Sequence, residues 1–316
     1  MSQTSQPDPA EGGTVSAPSI ITPSLLRDWP LPQPGQHAGK DVRGRVLVVG
    51  GSQSTPGAVL LSGVAALRVG AGKLQMATAE TAGTALAIAV PEAGVAGLPL
   101  DDAGALGAAA GREVAGLAGG MSAILLGVGM SDPDATHKLL DEALPGVEDD
   151  AALVLDALAL TCGALTPDLL QRFGGRVVIT PNEAEMHRIL DALGLDDPGG
   201  DGDTRDAESG LALAARVAES LGVVVAYEGM VATADGRCWR DGTGNAGLGT
   251  SGSGDVLAGV AVGLLARGAT PEQAAVYAVH LHGQAGDSMS ATVGRLGYLA
   301  GELLDQVPRI LASLES

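Results

Sequence analysis

Aromatic side chains are scarce in this 316-residue chain, which has three tyrosines, two tryptophans and one phenylalanine. Because so few large side chains are available, the core must be built from Ala, Leu and Val. The 48 glycines and the hydrophobic content of 46% are typical of tightly packed helices and strands joined by short turns. This composition argues against a disordered chain.

Positive charge is also sparse, since 18 Lys and Arg residues stand against 37 Asp and Glu residues and leave a net charge of −19. The resulting field repels polyphosphate backbones, which argues against nucleic acid as a partner. A phosphate ligand must therefore be held locally, by backbone N–H groups and helix ends.

Cysteines and long apolar runs are few as well. Cys162 and Cys238 have no metal-ligand spacing, which argues against a zinc site and against a disulfide framework. Residues 1–20 lack the features of a signal peptide, and no uncharged apolar stretch reaches the roughly 18 residues that cross a bilayer. We therefore expect a soluble, cytoplasmic protein without a membrane partner.

The chain divides into two parts by composition. Residues 1–36 are rich in Ser, Thr, Pro, Gln and Gly and predict a disordered or loosely docked tail, with a short docking segment around Leu25 and Leu26. In residues 37–316, β-rich segments alternate with helical segments, and this pattern predicts one domain.

Short β-rich apolar runs alternate with longer helical segments over most of this domain. The predicted strands are residues 45–50, 73–78, 123–127, 152–156, 176–180 and 222–227. Near-continuous apolar strands separated by helices indicate a mainly parallel sheet covered on both faces, a three-layer α/β/α fold. The last part of the chain instead predicts consecutive helices over residues 253–267, 271–286 and 296–314.

A glycine-rich turn carries the most specific chemistry. Residues 249–255 read Gly-Thr-Ser-Gly-Ser-Gly-Asp and run into an apolar stretch of helical length. A helix that begins there directs unpaired N–H groups and its positive dipole end at an anion. We predict that the amides of Gly252, Ser253 and Gly254 form an anion hole and that Asp255 takes or gives a proton beside it. The alternative is that Asp255 only caps the helix.

Residues that follow strands are the other candidates, because ligands of parallel sheets gather at the carboxyl ends of strands. The loop 50–58 is flanked by glycines and leads into a helix, and in the loop 127–130 small residues let a ligand approach the backbone. Asn182 and Glu185 share one side of a helix start, where they suit either an acidic first turn or a hydrated Mg²⁺.

Together these motifs resemble the ADP-dependent NAD(P)H-hydrate dehydratases, which are repair lyases of the ribokinase-like superfamily. The matching stretches are residues 43–52, 56–73, 90–93 and 245–266. The resemblance implies a ribokinase-like fold and a homo-oligomer. It also implies dehydration of the S-epimer of hydrated NADH or NADPH, with ADP or ATP as co-substrate and Mg²⁺ as cofactor.

The resemblance also implies which residues bind each ligand. The positions implied for the hydrated cofactor are Ala58, Gly129, Asn182 and Asp255. The positions implied for the adenine nucleotide are Glu228, Gly229, Met230, Val231, Ala232 and Gly254. In this interpretation the hydroxyl of the hydrate is first phosphorylated, and Asp255 deprotonates it as it attacks the terminal phosphate.

Two positions depart from the family pattern. Asn182 stands where the family usually has His after Thr-Pro, and Glu228 stands where it usually has Lys before Gly. With Glu185, Asn182 matches the Asn-x-x-Glu magnesium motif of ribokinase-like sugar and vitamin kinases, so an ATP-dependent small-molecule kinase is a second hypothesis. Glu228 places negative charge beside a polyphosphate and favours a third hypothesis, a non-catalytic nucleotide-binding relative.

Overall fold

The computed structural model describes residues 17–33, 35, 39–164, 166–196 and 207–315. Its strands are β1 (Ser19–Ile20), β2 (Arg45–Val49), β3 (Lys73–Ala79), β4 (Ala93–Leu98), β5 (Ala123–Leu126), β6 (Ala152–Leu155), β7 (Val177–Ile179), β8 (Val224–Tyr227), β9 (Met230–Ala232) and β10 (Cys238–Arg240).

The α-helices pack around these strands. They are α1 (Pro23–Asp28), α2 (Gly57–Arg68), α3 (Glu80–Ala89), α4 (Ala108–Leu117), α5 (Pro133–Ala143), α6 (Ala157–Ala164), α7 (Pro167–Gln171), α8 (Glu183–Leu193), α9 (Ala207–Leu221), α10 (Ser253–Ala266), α11 (Pro271–Thr292), α12 (Ala300–Leu303) and α13 (Val307–Leu314). Within the described ranges, none of these helices is both long enough and apolar enough to cross a membrane.

One sheet contains all ten strands, in the order β1-β10-β9-β8-β7-β6-β5-β2-β3-β4. Strand β9 is antiparallel to both of its neighbours, and every other pairing is parallel. The predicted three-layer α/β/α fold with a mainly parallel sheet is therefore confirmed.

Two cores lie on the two faces of the sheet, and β2 contributes to both. Val46 and Val48 belong to the core that also includes the buried residues of α2, α10 and α11. Leu47 and Val49 belong to the core under α4, α5, α8 and α9. This division follows from the alternation of side chains along a strand. It explains why the strands read as continuous apolar runs.

Small residues let α10 lie directly against α2. A Cβ atom on Gly259 would lie 2.3 Å from the carbonyl oxygen of Ser62, and one on Gly263 would lie 2.7 Å from the Cα of Ala66. The two backbones therefore approach more closely than larger residues would allow. This contact places the beginning of α10 beside the first turns of α2, where a Cβ on Gly252 would lie 2.6 Å from Leu61.

The docking segment near the N-terminus is longer than its composition suggests. Strand β1 pairs with β10 at the sheet edge, and Leu26 of α1 is fully buried. The hydroxyl of Tyr277 donates a hydrogen bond of 2.6 Å to the carbonyl of Leu26. Trp29 also stacks on Trp239, with ring centroids 5.9 Å apart. The predicted tail upstream of residue 17 lies outside the described residues.

The C-terminal helices agree with the prediction in two cases of three. Helices α10 and α11 begin where expected, and the side chain of Thr270 accepts the cap hydrogen bond ahead of α11. The predicted helix 296–314 is wrong as one element, because it is divided into α12 and α13. Gly297 has a φ of +99°, which favours a turn over a helix before α12. Pro308 has no N–H to donate, and it stands in the first turn of α13, where that donor is not needed.

We expect Gly259→Ala to lower the free energy of unfolding by about 1–3 kcal/mol, because the added Cβ separates α10 from α2. Gly116→Ala is the matched control. It lies exposed in α4 with open space around it, and the helix propensity of Ala should leave stability unchanged or raise it. Urea unfolding of both variants measures the difference, and equal stabilities would contradict this account of the packing.

Candidate functional site

The candidate site lies at the carboxyl ends of the parallel strands. Strand β2 runs into Gly50, β5 into Gly127 and β6 into Asp156. Strands β7 and β8 follow in the same sheet and lead to Thr180 and Glu228. Because these strands are parallel neighbours, their following residues line one edge of the sheet.

Helix α10 begins at this edge with its N-terminus open. Gly252 has a φ of +88° and caps the helix without a side-chain hydrogen bond. The N–H of Val256 donates to the carbonyl of Gly252, and that of Ser253 donates to Thr250. Asp255 is therefore the third residue of the helix, and the alternative that it is the cap is wrong.

The N–H groups of Gly254 and Asp255 have no acceptor within the described part of the chain. A Cβ on Gly254 would meet no heavy atom within 4 Å, so the space in front of the first turn is open. Free N–H groups at the positive end of a helix suit an anion. The predicted set of three donors is wrong at Ser253, because its N–H donates to the carbonyl of Thr250.

Three carboxyl groups act on one another beside this turn. Burial raises the pKa of Asp255 to about 6, and the negative charge of Glu185 raises it further in the same direction. Burial raises the pKa of Asp156 to about 7, with the charges of Glu185 and Asp255 as additional causes. The hydroxyl of Thr180 donates a 2.8 Å hydrogen bond to Asp156. At pH 7 the site therefore holds an ionised Asp255 next to a partly protonated Asp156.

Asn182 and Glu185 form a reciprocal capping box at the start of α8. Asn182 Oδ1 accepts a hydrogen bond of 2.9 Å from the N–H of Glu185, and Glu185 Oε2 accepts one of 2.9 Å from the N–H of Asn182. The structure thus brings the two candidate magnesium ligands together, with the only side-chain oxygen of Asn182 and one oxygen of Glu185 bonded to backbone N–H groups at the helix start. No group of three His, Cys, Asp or Glu side chains surrounds a single position in the ranges described.

Ala58 and Gly129, the other two positions implied for the hydrated cofactor, lie against each other. A Cβ on Gly129 would lie 2.7 Å from the Cβ of Ala58, and the φ of Gly129 is +65°. The hydroxyl of Thr55 donates a hydrogen bond of 2.6 Å to the carbonyl of Gly129 and fixes this contact. Since Ala58 lies in the first turn of α2, this pair is adjacent to the beginning of α10.

A cleft of about 450 Å³ opens on the other side of the α10 N-terminus. Its walls include Asn182, Glu228, Gly229, Ser253 and Gly254. The cleft therefore extends from the predicted anion turn to Glu228 and Gly229, two of the positions implied for the nucleotide. Glu228 is exposed, and its φ of +46° together with the φ of +79° at Gly229 fits the two-residue turn that joins the antiparallel strands β8 and β9.

The remaining positions implied for the nucleotide belong to strand β9. Met230 is 4% exposed, and Val231 and Ala232 are fully buried in the two cores. Their side chains do not reach the cleft, which Glu228 and Gly229 line at the turn before the strand.

Side chains of α11 hold the part of the cleft wall that residues 241–249 form. Asp241 and His280 are both buried and lie 2.9 Å apart through Oδ2 and Nδ1. Asp287 accepts hydrogen bonds from the N–H of Gly244 at 3.1 Å and from the amide of Asn245 at 2.9 Å. These contacts orient the loop that leads into the glycine turn.

Sequence reasoning missed Asp156, His282 and the residues that hold the loop. Asp156 comes directly after strand β6, so the rule that ligands gather at strand ends would have found it. His282 lies on α11 and meets Ser253 through a 2.8 Å contact between Nε2 and Oγ. No local pattern connects residues 29 positions apart on two helices.

Comparison with known proteins gives consistent matches. The family model described as NAD(P)H-hydrate dehydratase matches residues 46–309. An ADP-dependent (S)-NAD(P)H-hydrate dehydratase of Xanthomonas campestris is 40% identical over 294 residues, which cover 93% of this chain and 96% of that protein.

Solved structures agree with these matches. An ADP/ATP-dependent NAD(P)H-hydrate dehydratase of Bacillus subtilis, co-crystallised with ATP/Mg²⁺, superimposes with a TM-score of 0.74 and 26% identity, covering 96% of this chain and all of that one. A ribokinase-like superfamily protein of Enterococcus faecalis has a TM-score of 0.76 at 23% identity, covering 94% of this chain and 96% of that one, and it supports the fold alone.

We expect Asp156→Asn to stabilise the folded protein at pH 8 and to have a smaller effect at pH 5. The pKa of this carboxyl is about 7 in the folded state against 3.8 for the free side chain, so its burial costs stability as the pH rises between these values. Asn mimics the protonated acid and still accepts the hydrogen bond of Thr180. The expected gain at pH 8 is on the order of 1–3 kcal/mol.

Urea unfolding of the wild-type protein and the Asp156→Asn variant at both pH values measures this difference. A gain of the same size at pH 5 and pH 8 would show that the carboxyl does not change its protonation there.

Proposed function

This chain belongs to the NAD(P)H-hydrate dehydratase family, and we propose that it dehydrates the S-epimer of hydrated NADH or NADPH with ADP or ATP as co-substrate. The observation that carries the proposal is the position of Asp255, a half-buried carboxylate in the first turn of a helix whose N-terminus no side chain caps. A base and an anion site are thus adjacent, between the Ala58–Gly129 contact and the cleft.

The first step is transfer of the terminal phosphoryl group to the hydroxyl of the hydrated ring. Asp255 accepts the hydroxyl proton while that oxygen forms a bond to phosphorus, and the bond from phosphorus to the nucleotide oxygen breaks. A pKa of about 6 makes Asp255 a stronger base than an ordinary aspartate while leaving it ionised at neutral pH.

The glycine turn stabilises the negative charge of the phosphoryl group during this transfer. Free N–H groups of Gly254 and Asp255 donate to the transferring phosphoryl group, at the positive end of α10. Phosphate then leaves the ring carbon with the C–O bonding electrons, and a proton leaves the adjacent carbon. The C=C bond of the reduced nicotinamide is thereby restored.

The residues at the start of α8 fit a hydrated Mg²⁺. The donors are oxygen atoms, and burial raises the pKa of Glu185 even though the charge of Arg188 lowers it, so a cation bound there would favour the ionised carboxylate. We propose that Asn182 and Glu185 hold the ion through water. When bound, it neutralises charge on the nucleotide phosphates.

The kinase hypothesis rests on the same pair, Asn182 and Glu185. Because the capping box gives both side chains a structural role, the pair does not by itself favour phosphorylation of a sugar or vitamin. The non-catalytic hypothesis rests on Glu228, which lines the cleft. The three functions differ in product: restored reduced nicotinamide, a stable phosphorylated product, or bound nucleotide without turnover.

The proposal includes a homo-oligomer in the cytoplasm. Val293, Leu296 and Leu299 are 53%, 73% and 67% exposed within one short segment, and such apolar groups favour association with another surface. Cys162 and Cys238 are buried free thiols, which suits a reducing compartment. Light scattering of the purified protein measures the oligomeric state.

We expect Asp255→Asn to abolish nearly all turnover while the protein remains folded, because the amide cannot accept the hydroxyl proton. Recovery of reduced-nicotinamide absorbance from hydrated NADH with Mg²⁺, measured separately with ADP and with ATP, is the assay. Asp305→Asn is the matched control, since this exposed carboxylate pairs with Arg68 at the opposite end of α2. Full activity of the Asp255→Asn variant would contradict the mechanism.

We expect kcat/KM to fall as the pH drops below about 6, where Asp255 becomes protonated. Glu185→Gln removes a negative charge that raises the pKa of Asp255, so the fall should move to lower pH. Gln also preserves the capping box. A pH–rate profile of both proteins measures the shift, and coincident acid limbs would assign the titration to another group.

A further inference from the structure

His282 is a cleft residue that the proposed reaction does not use. It lies on α11, and its Nε2 is 2.8 Å from the Oγ of Ser253, the first residue of α10. Both residues line the 450 Å³ cleft beside Gly254. The contact therefore reaches the anion turn directly from a second helix.

The ring of His282 acts by hydrogen bonding and not by charge. Burial lowers its pKa to about 4, so the imidazole is neutral at pH 7. A neutral ring offers one donor and one acceptor, and either tautomer can bond the hydroxyl of Ser253. His282 is consequently not a cation for phosphate.

The hydroxyl of Ser253 has an alternative partner close by. Ser side chains readily accept hydrogen bonds from N–H groups two residues further along, and here that donor is the N–H of Asp255. Such a bond would occupy one of the two open donors of the α10 N-terminus. In the structure the hydroxyl meets His282 instead, and no side chain among the described residues caps the helix.

We propose that His282 is a positioning residue that holds the Ser253 hydroxyl away from the first turn of α10 and so keeps its N–H groups available to the terminal phosphate of the nucleotide. The proposal rests on the proposed function for the identity of the anion. It adds that one helix keeps the N-terminus of another uncapped.

The test is equilibrium binding of ADP by calorimetry, which does not depend on turnover. His282→Phe should weaken ADP binding about tenfold, because the released hydroxyl competes for the helix N–H groups. Ser253→Ala removes the competitor and keeps the backbone N–H, so its ADP affinity is the reference for the double variant. The double variant should bind like Ser253→Ala, so that loss of the serine rescues loss of the histidine.

Two further variants separate positioning from packing. His282→Gln keeps a group that can bond Ser253 and should retain wild-type binding, whereas His282→Ala removes the hydrogen bond without added volume and should behave like His282→Phe. Thermal unfolding of each variant verifies that it is folded.

A double variant as weak as His282→Phe, or a His282→Ala variant that binds like the wild-type protein, would overturn the proposal. So would a wild-type protein that does not bind ADP. If the rescue is observed but hydrated NADH is not repaired, the positioning role stands and the proposed function fails.

Discussion

The left-handed backbone at Gly252 is the constraint on which the site depends. A φ of +88° starts α10 abruptly, without a capping side chain, so that N–H donors face the cleft while Asp255 enters the first turn. A Cβ at this position would also lie 2.6 Å from a terminal methyl of Leu61, so a larger residue would displace that side chain where α10 meets α2. The same residue thus begins the helix at the proposed anion site, places the proposed base in its first turn and lies where α10 meets α2.

Electrostatics at the site follows from the lack of positive charge in the chain. With a net charge of −19, the protein favours phosphate where backbone N–H donors are open and where the negative charge of nearby carboxylates is limited. Burial changes the charge of the groups beside the turn, because it raises the pKa of both Asp156 and Asp255 and lowers that of His282. At pH 7 His282 is therefore neutral and Asp156 is partly protonated, which limits the negative charge beside the turn.

The scarcity of aromatic residues has a structural counterpart in the way helices meet. Gly259 and Gly263 allow α10 to lie on α2, and Gly283 brings α11 within contact of Thr243 in the cleft wall. Close backbone contact of this kind compensates for small side chains, because dispersion depends on the number of atoms in contact and not on their size.

The sequence by itself determined the parallel sheet and the helix that begins at the glycine turn, and it identified Asp255 as the candidate base, because these are local: apolar runs of strand length, a glycine-rich helix start and a carboxylate within it. Only the tertiary structure decided that Asp156 joins Asp255, that His282 holds Ser253, and that the side chains of Met230–Ala232 are buried away from the cleft. The division of the last helix and the pairing of the two-residue strand β1 also required the structure. These features arise from contacts between residues far apart in the chain, and no periodicity encodes which distant surfaces will pack together.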